Sequence, residues 1–395
     1  MASLLSTLPM AAPMARRTGP IAILAVAAFV IVTTEFLIVG LLPALARGLG
    51  ISIAVAGQLV TLFAFTVMLF GPVLTSLLSH VDRKRLFVVI MLVFAAANAL
   101  AAMATNIWVL ALARFIPALL LPVFWGTASE TAGQLAGPLR AGRAVSTVYL
   151  GISAALLFGI PLGTLMANAF GWRCAFWLLA ALSTAMAVSI AAFMPSSELP
   201  PRMRMTEQAR ILKDPLFVAH VGLSMLVFTA MFTAYTYLSD TLEQLAGVAP
   251  AQVGWWLMGF GAIGLVGNWL GGRAVERHPL GATMVFTLIL AIGMIASVSL
   301  TKHHGGFVIS LVFWGIAYTA LFPICQVRVM EAASHAQALA GTFNVSAANA
   351  GIGLGAVIGG LTITRSGLVD VGYVATAVAV LALITMPFIA KLKPR

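Results

Sequence analysis

Residues 21–44 read IAILAVAAFVIVTTEFLIVGLLPA, and this stretch contains a single charged side chain, that of Glu35. A helix of roughly 20 apolar residues is long enough to cross the hydrocarbon core of a bilayer. Eleven further apolar stretches follow, separated by short breaks that carry Pro, Gly, Asn or charge. They lie at residues 53–77, 86–104, 107–130, 145–168, 174–194, 216–238, 251–272, 280–300, 306–328, 335–364 and 371–390. Because only helices satisfy their own backbone in lipid, the sequence predicts an all-α, polytopic membrane protein with twelve transmembrane helices.

The overall composition supports this interpretation. Of 395 residues, 61% are hydrophobic and 8% are charged, and the mean hydropathy is +1.06, which excludes an ordinary soluble domain. The net charge of +11 comes from basic residues scattered among loops, where they can face anionic lipid headgroups. Nucleic acid is therefore not an expected partner, whereas the lipid bilayer is.

The distribution of Lys and Arg predicts the orientation, because these residues are enriched in cytoplasmic loops. If the N-terminus is cytoplasmic, the periplasmic loops hold only Arg47, Arg173, Lys302 and Arg365, and Arg114 lies inside a span. The cytoplasmic segments then hold Arg16, Arg17, Arg83, Lys84, Arg85, Arg140, Arg143, Arg202, Arg204, Arg210, Lys213, Arg273, Arg277, Arg328, Lys391, Lys393 and Arg395. We expect a bacterial inner-membrane protein with both termini in the cytoplasm.

The chain contains an internal repeat. The longest polar stretch, residues 196–214, separates residues 1–195 from residues 215–395, and an offset of 196 residues superimposes glycines of the two parts. We predict two pseudo-symmetric six-helix bundles joined by a cytoplasmic linker. Small residues recur every fourth position on the fifth span (Gly151, Ala155, Gly159 and Gly163) and on the eleventh (Ala347, Gly351, Gly355 and Gly359). These faces are either static packing surfaces or surfaces that slide when the bundles rock, in which case bulk there blocks transport without unfolding the protein.

Several motifs resemble those of the major facilitator superfamily, over essentially the whole chain. The segment TTEFLIVGLLPALARGLGIS, residues 33–52, resembles the start of the sugar-efflux branch of its drug:proton antiporters. Arg114 in ARFIPALLLPVFW matches the arginine motif of the fourth helix, and Gly159-Ile-Pro161-Leu-Gly163 matches the antiporter signature of the fifth.

The loop after the second span departs from the family pattern. It reads LLSHVDRKRL, with His80 where the superfamily usually has Asp, so the latch attributed to this motif would have to use Asp82 with Arg83, Lys84 and Arg85.

The resemblance implies a proton-coupled exporter that works by alternating access, as a monomer, on a small molecule. A sugar or sugar-like compound is favoured, and purine nucleosides and lipophilic drugs such as antibiotics are the alternatives. No cofactor or metal is implied.

Glu35 is the one acidic residue that the spans place deep in the membrane, where a carboxylate is expensive and is a functional candidate by default. The other ten acids fall in loops or near helix ends: Asp82, Glu130, Glu198, Glu207, Asp214, Asp240, Glu243, Glu276, Glu331 and Asp370. Arg114 lies at nearly the same depth, so we predict that its guanidinium pairs with the Glu35 carboxylate and that both couple proton movement to transport. The alternative is a neutral Glu35 that is hydrogen-bonded to Thr33 or Thr34, and Thr34 is also a candidate for substrate contact.

Substrate-binding candidates in the second half are polar or aromatic residues at mid-depth. Trp314 and Tyr318 share a face of the tenth span, and Asn344 and Asn349 lie on the eleventh. Aromatic faces beside amides suit a sugar, a nucleoside or a drug. Hydrogen bonding between helices and aromatic packing are the alternative explanation.

Other function classes lack their motifs. No Gly is followed by Lys, so the phosphate-binding loop of ATP-driven pumps is absent, and neither H-E-x-x-H nor a G-x-S-G serine motif occurs. We therefore predict that the chain is not an enzyme. A sensor or a passive facilitator with the same fold stays open, although a passive facilitator has no need of a buried titratable group.

Overall fold

The computed structural model describes residues 18–78, 80–136, 141–195, 212–333 and 337–392, and within them twelve long helices and no strands occur. In the first half these are α1 (Thr18–Leu49), α2 (Ile53–Leu78), α3 (Arg83–Ala102), α4 (Ile107–Ala136), α5 (Ala141–Ala154, continued by Ala155–Gly159 and Ile160–Phe170) and α6 (Trp172–Phe193). In the second half they are α7 (Pro215–Tyr235), α8 (Pro250–Val275), α9 (Pro279–Ser299), α10 (His304–Glu331), α11 (Gln337–Ser366) and α12 (Val369–Ile389). All twelve are long and apolar enough to span a membrane, as predicted.

Helix ends follow local sequence signals. Asp82 and Asp214 cap α3 and α7 with their carboxylates, and α7, α8 and α9 each begin at a proline, which needs no helical donor for its missing N–H. Gly171 and Gly367, which are 196 residues apart, turn the chain after α5 and α11 with φ values of 89° and 101°. Only glycine adopts this conformation without strain, so the repeat extends to the turns.

Two helices depart from the predicted spans. α1 runs to Leu49 rather than ending at residue 44, because Pro43 lies inside the helix instead of stopping it. After α7 the chain continues as a short helix, Leu238–Asp240, and a π-helical turn, Thr241–Leu245. The seventh membrane segment therefore extends beyond its predicted end at residue 238.

Helices α1–α6 pack mainly on one another, as do α7–α12, and two helix pairs join the halves. α2 packs along α11 and α5 packs along α8, which are equivalent pairs in the internal repeat. Most of the predicted linker, residues 196–211, lies outside the described residues.

The small-residue faces of α5 and α11 lie inside the halves. Gly151 and Gly159 contact α1 at Ala25 and Thr33, and Gly351 and Gly355 contact α7 around Thr229. Gly163 and Gly359 continue the same faces against Leu37 and Thr233. This arrangement favours static packing over sliding. Pro161 has another role: it follows the π-helical turn Ala155–Gly159, where the helical hydrogen bonding of α5 is locally rearranged.

The glycines at the junction of the halves are different ones. Gly254 and Gly261 of α8 meet the backbone of α5, and Gly353 of α11 meets the ring of Phe65 on α2. Small residues at these positions let the two halves approach closely.

Candidate functional site

A cavity of about 360 Å³ lies between the two halves. We call the side where α1 begins and α12 ends the terminal face, and the other side the opposite face. The lining comes from the central and terminal-face parts of seven helices. It comprises Val32, Glu35, Phe36, Leu121, Trp125, Tyr149, Ile152, Ser153, Leu156, Phe228, Gly261, Gly264, Leu265, Asn268, Thr319, Phe322, Pro323, Gln326, Val327, Asn344, Val345, Ala348, Asn349 and Ile352. The cavity is mainly apolar and aromatic, as binding sites for small organic molecules are.

Glu35 is the one acidic residue in this lining, and it is partly exposed to the cavity. Within the part of the chain that the structure describes, its carboxylate has neither an ion-pair partner nor a hydrogen-bond donor. A carboxylate in such surroundings depends on water, on a proton or on a bound molecule for stabilisation.

The predicted pairing of Arg114 with the Glu35 carboxylate is wrong. The guanidinium is buried and donates instead to the backbone carbonyl oxygens of Thr34 and Glu35, at 2.6 Å from the latter. It also stacks 4.3 Å from the centroid of the Phe63 ring. A backbone carbonyl has a second lone pair after its helical bond, so a buried cation can use the helix itself as acceptor. Arg114 thus fixes α1 at the level of Glu35 and leaves the carboxylate free.

Thr34 does not reach the cavity. Its hydroxyl donates to the carbonyl of Val30 and accepts a bond from the Asn98 amide of α3 at 3.2 Å. The neighbouring Thr33 also bonds within α1, to Phe29. Both threonines are satisfied by helix packing, so neither is the predicted partner of Glu35 and Thr34 is not a substrate contact in this structure.

Trp314 and Tyr318 lie outside the cavity in an aromatic cluster of the second half. Tyr318 stacks on Tyr235 of α7 with ring centroids 4.3 Å apart, and Trp314 packs edge-on against Phe260 of α8 at 5.6 Å. Both residues are buried. For this pair the structure favours the alternative explanation, aromatic packing.

Asn344 and Asn349 do line the cavity. Asn344 donates to the side-chain oxygen of Gln326 at 2.7 Å, and Asn349 donates to the carbonyl of Val345. The side-chain oxygen of each has no hydrogen-bond donor among the described residues. Two buried amide oxygens on one wall are ready acceptors for a hydroxyl or N–H group of a bound molecule.

Several lining residues with hydrogen-bonding or aromatic groups were not predicted from the sequence, among them Trp125, Tyr149, Asn268 and Gln326. Gln326 lies two turns beyond Tyr318 on the same helical stripe, and Trp125 lies eleven residues after Arg114. Extending both stripes toward the terminal face would have found them. The Trp125 ring packs against the Tyr149 ring at a tilt of 46°, with centroids 5.0 Å apart.

Three polar contacts close the junction between the halves on the opposite face, and we call them the seal. Arg47 pairs with Glu243 at 2.8 Å, Ser239 donates to the carbonyl of Val39 at 2.7 Å, and Asn168 donates to the carbonyl of Pro250. Val39 is four residues before Pro43, which has no N–H, so its carbonyl lacks the usual helical donor and takes Ser239 instead. The cavity therefore lies between the seal and the terminal face.

Three ionisable residues that the sequence assigned to loops or helix ends are buried: Arg83, Asp240 and Arg328. Asp240 is 0% exposed beside the seal. Arg328 is 1% exposed inside α10, where it donates to the hydroxyl of Ser224 and the carbonyl of His220. Glu35 and Arg114 are thus not the only ionisable residues that lie inside the fold.

The basic loop motif acts within the first half. Asp82 accepts a bond from the backbone N–H of Arg85 at 2.9 Å and so caps α3. Arg83 is buried and pairs with Glu130 of α4 at 2.7 Å, while no contact is described for Lys84. The residue that ties neighbouring helices is Arg83, whereas Asp82 caps α3.

Comparisons with known proteins agree with this architecture. The model of the Major Facilitator Superfamily matches residues 24–344 and, in a second match, residues 221–395. Inner membrane transport protein YdhP of Escherichia coli K12 is 34% identical over 376 residues, covering 95% of this chain and 97% of that protein. Chloramphenicol efflux pump Rv0191 of Mycobacterium tuberculosis is 31% identical over 88% of this chain and 86% of its own. A probable sugar efflux transporter of Helicobacter acinonychis is 29% identical over 93% and 94%.

The solved structures lead to the same fold. A bacterial homologue of the human lysosomal transporter Spinster, in an inward-facing and unoccupied conformation, superimposes with a TM-score of 0.79 at 16% identity, covering 96% of this chain and 97% of that one. The resemblance in the sequence is confirmed, as are the twelve spans and the absence of an enzymatic role for this family. The chain belongs to the major facilitator superfamily and is a multi-pass inner-membrane transporter of small molecules.

Proposed function

We propose that this transporter exports a neutral, amphipathic small molecule in exchange for protons, and that Glu35 is the site where proton and substrate compete. The observation that carries the proposal is the free carboxylate of Glu35 on the wall of a largely apolar cavity. Such a group is a functional candidate because a carboxylate within the membrane is costly and no ion pair or hydrogen bond among the described residues occupies this one.

The direction of transport follows from the proposed orientation. The bias of Lys and Arg favours a cytoplasmic terminal face, so the cavity would collect its substrate from the cytoplasm while the seal closes the periplasmic side. The inward-facing conformation of the Spinster homologue, which has the same fold, is consistent with this assignment.

During the exchange, the group that stabilises the Glu35 carboxylate changes from water to substrate to a proton. In the inward-open cavity, water stabilises the ionised carboxylate, so the proton leaves to the cytoplasm. A substrate hydroxyl or N–H group then replaces the water as donor. When the cavity opens to the periplasm, a proton takes the place of the substrate donor and the substrate is released. Arg114 would be a positioning residue, because it holds the backbone of α1 at Thr34 and Glu35.

The polar and apolar parts of the cavity lining indicate the substrate class. The second half offers amides at Asn268, Gln326, Asn344 and Asn349, which suit the hydroxyl groups of a sugar or sugar-like compound. The aromatic and aliphatic lining suits a lipophilic antibiotic as the second candidate, and one 31% identical relative is a chloramphenicol efflux pump. Purine nucleosides share both features and belong in the same screen.

The test is transport by purified protein in proteoliposomes with an imposed pH gradient. A disaccharide, a purine nucleoside and chloramphenicol are compared as radiolabelled substrates. We expect uphill flux of one of them to collapse when a protonophore removes the gradient. Flux that does not respond to the protonophore would indicate a passive facilitator.

The variant Glu35→Gln should abolish gradient-driven flux while keeping downhill exchange of labelled for unlabelled substrate. Asp370→Asn, an acid at the start of α12 and away from the cavity, is the matched control and should behave as the parent protein. Undiminished proton-driven flux in Glu35→Gln would show that the coupling site lies elsewhere.

A further inference from the structure

Among the residues that the structure describes, Asp240 has no hydrogen-bond partner for its buried carboxyl group. It is 0% exposed, and neither of its carboxylate oxygens receives a hydrogen bond from another described residue. It ends the short helix Leu238–Asp240, which packs on α1 of the other half. The preceding residue, Ser239, makes the seal contact with Val39. Asp240 therefore lies where the two halves meet, and not on the cavity wall.

The ionisable groups that face Asp240 do not compensate a negative charge there. Glu243 lies one turn further on and would repel an ionised Asp240. Arg47, the nearby cation, is engaged with Glu243 at 2.8 Å and is 56% exposed. Tyr237 donates its hydroxyl to the carbonyl of Ala356. Without a hydrogen bond from another described residue, an ionised Asp240 in the closed junction lacks the donors that water would supply.

We propose that Asp240 is a second proton-binding site, which must be protonated for the halves to close on the opposite face and which ionises when that face opens. Opening brings water to the carboxyl group, and water supplies the donors that the closed junction lacks. Because the open state stabilises the ionised form, linkage requires that protonation stabilise the closed state.

Asp240 lies nearer the opposite face than Glu35 does. Val39, which contacts the neighbouring Ser239, is four residues beyond Glu35 on α1, or about 6 Å toward the opposite face. A proton that enters from the opposite face meets Asp240 first and Glu35 second. This inference deepens the proposed function, because it adds the entry site for the exchanged proton and ties proton entry to closure of the seal.

The test measures opening of the opposite face directly, without substrate or gradient. Spin labels on Thr105→Cys and Lys302→Cys, both exposed in loops on the opposite face of the two halves, report the distance across the seal. The native cysteines are removed by Cys174→Ser and Cys325→Ala. Double electron–electron resonance on the full chain in lipid nanodiscs then gives the ratio of open to closed populations at a series of pH values.

In the parent protein the ratio of molecules with an open opposite face to molecules with a closed one should rise with pH. The rise should be at most about tenfold per pH unit, which is the limit for one linked proton. Asp240→Asn, which resembles the protonated acid, should stay closed and lose this response, whereas Asp370→Asn should keep it. Glu35→Gln should keep it too, so failure of the coupling role of Glu35 does not remove the signal. An unchanged pH response in Asp240→Asn would overturn the proposal.

A second variant covers the possibility that Asp240→Asn does not fold. Glu243→Gln removes the repelling charge and frees Arg47 to face an ionised Asp240 in the closed junction, so the closed state should tolerate ionisation and the ratio of open to closed populations should rise less steeply with pH than in the parent protein. A pH response as steep as that of the parent in Glu243→Gln, or a parent protein whose distances do not change with pH, would equally refute the assignment.

Discussion

Helix α11 presents two small faces to two different neighbours, and the contacts on them differ in kind. Toward α7, in its own half, a Cβ added at Gly355 would lie 2.7 Å from both the carbonyl oxygen of Thr229 and the amide nitrogen of Thr233. Toward α2, in the other half, a Cβ added at Gly353 would meet the ring of Phe65 at 2.6 Å. The first face is pressed against backbone, whereas the second touches a side chain.

The difference separates contacts that persist from contacts that must release. Backbone cannot move aside without separating two helices, so the α7 face holds the second half together through a transport cycle. A phenyl ring can change rotamer, so the α2 face can part when the halves rock. The sequence motif of small residues at every fourth position detects the first kind of face and does not distinguish it from the second.

The largest effect is expected from Gly355→Leu. The added side chain would force α11 away from the backbone of α7, so we expect destabilisation of more than about 3 kcal/mol, at the upper end for overpacked sites. The measurement is thermal unfolding and gel filtration in detergent. Gly259→Leu is the matched control, because nothing lies within 4 Å of its added Cβ. Equal stability of the two variants would contradict the distinction, and transport loss with normal folding would restore the sliding hypothesis.

A smaller effect on stability, but a clear shift in conformation, is expected from Gly353→Leu. Phe65 can move aside at a cost of about 1–3 kcal/mol, and separation of α2 from α11 avoids that cost. The ratio of open to closed on the opposite face should therefore rise about fivefold or more, while the protein stays monodisperse. The same spin-label distance across the seal measures it. A loss of folding as complete as that of Gly355→Leu would mean that both faces are static.

The twelve helices were predictable because each depends on the local length and hydropathy of its own segment. Glu35 was identified for a similar reason, since a single acid in an apolar run is visible without any structure. The partner of Arg114 could not be predicted in this way. Equal depth is compatible with a bond to a side chain or to a carbonyl, and only the rotation of α1 and α4 decides between them.

The burial of Asp240 was not predicted, although the internal repeat indicated that residue 240 lies within the fold. The offset of 196 residues superimposes Glu243 on Arg47, and Arg47 lies within α1, which ends at Leu49. The equivalent part of the seventh segment should therefore lie within the fold, and residue 240 with it. Hydropathy alone ended that segment at residue 238, before the buried acid.

Within the seal, Ser239→Ala should have a moderate effect. The hydroxyl is the donor that replaces the one missing at Val39, so its loss leaves a buried carbonyl unsatisfied in the closed state only, at about 1–2 kcal/mol. The ratio of open to closed should rise about 5- to 30-fold. Pro43→Ala restores the helical N–H, so the double variant should regain most of the closed population. If Ser239→Ala leaves the ratio unchanged, the serine contact does not contribute to closure.

The smallest effect is expected at the one ion pair of the seal. Arg47 and Glu243 occupy equivalent positions of the two halves, but the Arg47 side chain is 56% exposed, and exposed pairs contribute about 0.2–1 kcal/mol. Arg47→Gln should therefore raise the ratio of open to closed by no more than about fivefold, and added salt should reduce the difference between parent and variant.

The charge exchange Arg47→Glu with Glu243→Arg tests whether attraction itself matters, because it preserves the pair and reverses its direction. It should restore the parent ratio, whereas Arg47→Glu alone should open the face more than Arg47→Gln does. A weak bond is what this position requires, since the same two side chains must separate in every cycle. An effect of Arg47→Gln larger than that of Ser239→Ala would show instead that charge, and not the buried hydroxyl, controls closure.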